Sequence, residues 1–443
     1  MKLISVFAAA IALTHTVTHA ALSVTSAEPA RNLNGAFLEK VWTVSGDTGD
    51  VFDDLKVQVA GNVFVDYDSS LNSDGAVTAK VIMRSNSPEM LDLVDVSTVQ
   101  DAVNSGVRVH YKNMDARVVG DVITQVILSH PNALSSVSAT QTDSVVLGEG
   151  VVVNGASASL ELDTSSDADI FVGSFQYPIE LKAIGIASSG DGRVQLLASS
   201  IQADSITVSL SGDTKTVIAA KDRITVDSFV STISGDGKIF VETADFQSQK
   251  LSSILSGDGK VSYSSAGSCV DQSIRLSGDA SVYAGSIVCK DTVVATAGDG
   301  KAIVQTTGTL TSVGGGSVKY VNAPPQRVVS SSIFRKHSNV KPAKYIKFKT
   351  HRPSLPPTRT PTELTIVIRA SWFGDAPHVS IYSGIGNSIV IDGTGFAVTD
   401  DPAYHHGVGP FGVFVAVAGV VAIAAVAFKL RERRAREKYA PLV

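Results

Sequence analysis

The chain has 443 residues, of which 44% are apolar, 6% aromatic and 18% charged, with a formal net charge of −5. The apolar share excludes a disordered chain, the lack of an Ala/Glu/Lys/Leu/Arg excess excludes a coiled coil, and small and β-branched residues favour many short strands. The charge is uneven: residues 21–323 carry 20 basic and 35 acidic residues, 324–408 carry 10 and 5, and 429–443 carry 6 and 2. An acidic body is a poor polyanion binder, so no nucleic-acid partner is expected.

Residues 1–20 read as a cleaved signal peptide. Lys2 is the positive start, Leu3 to Leu13 the apolar stretch, and Thr18-His19-Ala20 supplies small residues before the cut. Residues 21–323 then form the ectodomain. Its first part, about 35–170, alternates apolar and polar residues without a fixed period, as in Val77 to Ile82.

From Ser189 onward the pattern becomes periodic. Ser-Gly-Asp recurs at Gly190-Asp191, Gly212-Asp213, Gly235-Asp236, Gly257-Asp258 and Gly278-Asp279, and Ala297-Gly298-Asp299 continues it. The glycines lie 22, 23, 22, 21 and 20 residues apart. Each unit, across the regular repeats 189–316, reads as a turn followed by short strands at period 2, such as Val194 and Leu196, then Ile206, Val208 and Leu210. A unit this small cannot close a core alone, but stacked units bury one apolar column. The expected fold is all-β: a parallel β-helix, or β-solenoid, of about 20–23 residues per rung.

Stacking puts the turn aspartates in a column about 4.8 Å apart. Arg193, Lys215, Lys238, Lys260 and Lys301 follow two residues after their aspartates and compensate them, whereas Ser281 follows Asp279. The aspartates are expected to bond their own loop's N–H groups. A calcium ladder is disfavoured by the lysines, and no metal or cofactor is assigned. Cys269 and Cys289, 20 residues apart, fall at nearly the same place on adjacent rungs. They are expected to form a disulfide, the alternative being two buried thiols.

The chain resembles the putative auto-transporter adhesin, head GIN domain family over roughly residues 50–320. The resemblance is carried by the Phe-x-x-Leu-x-Val strand at Phe52–Val57, the Val107–Tyr111 strand, the Val122–Leu128 strand running into Pro131-Asn132-Ala133-Leu134-Ser135-Ser136-Val137, and the Ser-Gly-Asp turns. It implies a solenoid-like fold with a surface or adhesive role and supplies no catalytic set. The C-terminal apolar and basic segments depart from it, so no autotransporter secretion follows.

Residues 324–361 mix Pro324, Pro325, Pro342, Pro353, Pro356, Pro357 and Pro361 with nine basic residues. They read as an extended linker, either free, in contact with a polyanion, or folded back on the acidic solenoid. Val340–Lys349 alternates enough to add a strand. Residues 362–400 hold further strands and are expected to cap the solenoid's open end. Residues 408–428 read as a transmembrane helix: Pro410 to Phe428 lacks any charge and is followed at once by a basic tail, 429–443, placing the tail in the cytosol. Tyr439-Ala440-Pro441-Leu442 matches an endocytic sorting pattern, so Tyr439 and Leu442 are candidates for sorting, against an inert tail.

Catalytic chemistry finds no residues. The mature histidines are His110, His130, His337, His351, His378, His405 and His406, and only the adjacent His405-His406 pair could share a metal. No nucleophile elbow, phosphate loop or CxxC is present. The expected protein is a non-catalytic, single-pass protein of the plasma membrane or another secretory-pathway membrane. Its adhesin-like ectodomain, extracellular or lumenal, would bind a protein or glycan ligand. The alternatives are a structural spacer without a ligand and a carbohydrate-active β-helix enzyme. A long apolar stripe on one solenoid face would favour binding; three carboxylates converging in a cleft would favour the enzyme.

Overall fold

Strands account for nearly all regular structure, with one short α-helix at Pro88–Leu93 capped by Ser87, whose hydroxyl accepts from Met90 N–H. The computed structural model describes residues 22–25, 31–33, 37–46, 52–74, 77–100, 105–331, 339–344, 350–371, 377–383 and 387–391. The signal segment, the spanning segment 408–428, the basic tail with Tyr439 and Leu442, and His405-His406 lie outside them. Among the described residues no helix is long and apolar enough to cross a membrane.

The repeats form a right-angled coil of parallel strands, a β-solenoid of about nine turns. Lys215–Ser234 shows the rung plan. Residues 215–220 pair backward with 193–198 and forward with Lys238–Glu242, forming one face. Residues 223–234 bend round the corner and pair with 200–211 and with Asp245–Ser256, forming the second face. Period-2 alternation turns every other side chain inward. The inward column Val145, Ile170, Val194, Thr216, Ile239, Val261, Val282, Ala302 and Val318 runs in register along the first face. Phe229, Phe246 and Tyr263 fill the middle of the core, with ring centroids 5.8–6.0 Å apart in edge-on and tilted packing.

The turns stack as their spacing requires. Gly190, Gly212, Gly235, Gly257, Gly278 and Gly298 all take positive φ, between 82° and 111°. A Cβ on Gly212 would stand 2.7 Å from the carbonyl oxygen of Gly190 one rung back, so both the dihedral and the close approach demand glycine. The turn N–H groups are taken by the neighbouring rung. Asp213 N donates to Gly190 O, Asp236 N to Gly212 O, Lys215 N to Gly192 O and Lys238 N to Thr214 O. The own-loop bond expected of the aspartates therefore has no donor left, and their carboxylates stand exposed at the corner. Arg193, Lys215, Lys238 and Lys260 form an in-register basic column beside them. No ion pair among the described residues joins the two columns, so compensation acts through space alone.

Cys269 and Cys289 are register partners on adjacent rungs, with Cα atoms 4.4 Å apart, and are joined in a disulfide.

The N-terminal end is closed by an antiparallel sheet. Phe37–Ser45 pairs with Val77–Ser85, which pairs with Ala116–Leu128. The second half of Ala116–Leu128 also stacks in parallel on Asn62–Tyr67, handing the sheet over to the solenoid. Strands of the 362–400 segment do not sit beside the last rung. Thr362–Arg369 pairs with 116–122 of the N-terminal sheet, followed by His378–Ser383 and Asn387–Ile391. At the other end, Arg327–Ser331 and Val340–Pro342 form the last described rung.

Candidate ligand cleft

Two features rise from the first face, a covered apolar stripe and an open cleft beside it. The outward positions of this face should be polar in a free solenoid. Instead they run Phe64, Val146, Phe171, Gln195, Val217, Phe240, Ser262, Tyr283 and Ile303 in register. This is the stripe that would favour binding, and most of it is buried.

Residues 350–361 form a strap along it. His351 N–H donates to Glu242 at 2.7 Å, and the His351 ring stacks on Phe240 at 5.0 Å. Burial, with Lys215 and Arg193 adding to it, pushes the His351 imidazole below its ordinary pKa. Further along, Ser354 N–H donates to the Gln195 side chain, whose amide donates back to Ser354 O, at 2.8 and 2.9 Å. Arg193 donates to the Ser354 hydroxyl. Arg359 then pairs with Asp66 and covers the Phe64 ring at 5.0 Å. The partners descend from 242 to 195 to 66, so the strap runs back to the N-terminal end. Of the three arrangements open to the Pro-rich linker, residues 350–361 adopt the folded-back one.

The cleft lies where the corner of the rung is widest. In later rungs the corner between the faces takes two or three residues, as between Ala198 and Ile201. One and two rungs earlier, residues 148–154 and 174–178 bulge outward instead. They enclose a cleft of about 490 Å³ with an aliphatic floor that includes Val146, Val152, Val153 and Leu197. Asn154 locks the two loops together: its amide donates to Pro178 O and accepts from Glu180 N–H, at 3.1 and 2.7 Å. Asn132 N–H donates to Gly150 O at 2.6 Å, holding Asn132 at a φ of 54°.

The second loop carries Phe175 and Tyr177, 40% and 44% exposed, two of only three large aromatics exposed among the described residues. Tyr177 lines the cleft, and its backbone carbonyl accepts from Ser199 N–H at 2.8 Å. Its hydroxyl bonds Glu149, and that hydrogen bond to the carboxylate raises the phenol's pKa. Glu149 is the one carboxylate in the lining. None of the turn residues or cysteines singled out from the repeat lies in the cleft. The cleft sits where the period is broken, and its sequence signal is the aromatic pair before Pro178 in a chain otherwise poor in aromatics. Among the described residues no cluster of three His, Cys, Asp or Glu is placed to hold a metal.

No curated protein matches the chain. Three solved structures align over 70% of this chain and 98% of their own. They are a putative adhesin from Parabacteroides distasonis (11% identity, TM-score 0.34), a putative adhesin from Parabacteroides merdae (14%, 0.33) and a putative lipid binding protein from Parabacteroides distasonis (13%, 0.35). Residues 207–324, which hold five of the six glycine turns, match the model of the putative auto-transporter adhesin, head GIN domain family, the family that those turns resemble.

Proposed function

We propose that the protein is a non-catalytic, adhesin-like surface protein whose solenoid ectodomain, held by a single C-terminal span, binds an extracellular ligand. The observation that carries the reading is the pair Phe175 and Tyr177. Large apolar side chains left in solvent at the rim of a cleft mark a contact surface more often than a structural need. The enzyme reading requires converging carboxylates, and the cleft lining supplies Glu149 alone. The spacer reading draws on the exposed aspartate corner, which is regular and featureless.

The test is adhesion of cells displaying the full-length chain to surfaces coated with extracellular glycans and matrix proteins. Saturable adhesion to one or a few coatings, above that of cells without the chain, is the expected result. Equal adhesion with and without it on every coating would leave the spacer reading in its place.

A further inference from the structure

Resting on that ligand-binding reading, we propose that the cleft holds a neutral sugar residue, stacked on Tyr177 and hydrogen-bonded through its hydroxyls to Glu149 and Asn132.

The chemistry of the lining selects the class. A volume of about 490 Å³ lies in the range of small-ligand sites. The lining has no Lys, Arg or His, so nothing neutralises a uronate, sulfate or phosphate, and the carboxylate of Glu149 repels one. A purely apolar ligand would cover Glu149 and the Asn132 amide without replacing their water, which costs free energy. A sugar meets both demands. The C–H face of its ring packs on an aromatic face, and its hydroxyls donate to a carboxylate and accept from an amide.

The geometry is already set for this. Tyr177 is held at both ends, by its hydroxyl on Glu149 and its carbonyl on Ser199 N–H. A fixed platform loses little freedom on binding. Asn154 has both ends of its amide engaged between the loops, so it is a positioning residue. The exposed Asn132 amide has no partner among the described residues and is free to meet a hydroxyl.

The experiment measures binding of the purified full-length chain, in detergent, to immobilised neutral tetrasaccharides of glucose, mannose, galactose and xylose. Oligogalacturonate and heparin oligosaccharides serve as charged comparators. The expected result is binding to at least one neutral probe and to neither charged one. Tyr177→Ala should then weaken binding about tenfold, Glu149→Gln should weaken it several-fold, and Val293→Ala, on an exposed face away from the cleft, should leave it unchanged. Tyr177 is exposed, so its truncation tests contact and not folding. Unchanged binding by Tyr177→Ala overturns the site while the ligand-binding reading stands. Binding to the charged probes alone, or to no probe by a chain that still mediates cell adhesion, overturns the sugar class. Loss of adhesion itself is the separate failure of the reading beneath.

Discussion

Arg359 grips Asp66 with two guanidinium nitrogens, at 2.6 and 2.5 Å, across 293 residues of sequence. Burial raises the Asp66 carboxyl, but the hydrogen bonds from Arg359 and Gln125 outweigh it and hold the pKa below the ordinary 3.8. The pair is partly exposed, so Arg359→Ala should cost only about 1 kcal/mol at pH 7. A depressed carboxylate stabilises the fold above its unfolded pKa and loses that contribution as pH falls through the folded one. The stability gap between the parent and Asp66→Asn, read by urea denaturation, should hold from pH 7 to 5 and narrow below about pH 4. A gap unchanged at pH 3 would place its origin elsewhere.

The disulfide closes a loop of 20 residues. A loop of that length constrains the unfolded chain by about 3 kcal/mol. Reduced protein, or Cys269→Ser with Cys289→Ser, should keep the strand content by circular dichroism and melt at a lower temperature. Equal melting with and without reductant would count against this.

Gly235 combines a φ of 111° with a would-be Cβ contact of 2.9 Å to Gly212 O. Gly235→Ala should cost about 1–3 kcal/mol. Gly155, where an added Cβ meets nothing within 4 Å, is the matched control and should tolerate alanine. Thermal denaturation of the two variants side by side checks the contrast.

Thr216 interrupts the inward aliphatic column between Val194 and Ile239, and its fully buried hydroxyl has no partner among the described residues. An unpaired buried hydroxyl costs about 1–3 kcal/mol. Thr216→Val keeps the shape and removes that cost, so it should raise the denaturation midpoint. A lowered midpoint would show that the hydroxyl is satisfied after all.

The rungs were legible because their geometry is local. Each turn needs a positive-φ glycine, so Gly190 to Gly298 print the period directly into the sequence. The cysteines followed, since equal offsets from Gly257 and Gly278 give register. The strap was one of three options for the Pro-rich linker. Nothing near Ser354 or Arg359 names Gln195 or Asp66 as partners, and the apolar outward positions Val217 and Phe240 look like core in a strand read alone. The destination of Thr362–Arg369 was hidden for the same reason, because a β-edge contact 240 residues away leaves no local trace. The cleft escaped because it is built from departures from the repeat, and periodicity analysis discards departures.

The strap also decides how the described chain responds to tension. Residues 22–25 and Asn387–Ile391 both belong to the antiparallel sheet at the N-terminal end, toward opposite edges of it. A pull between Leu22 and Ile391 therefore crosses the ladders of that sheet one after another and peels them. The stacked rungs, with their disulfide and glycine turns, hang beside the line of force. The mechanical limit of the molecule is set by the cap strands, and the solenoid can stay folded after they part.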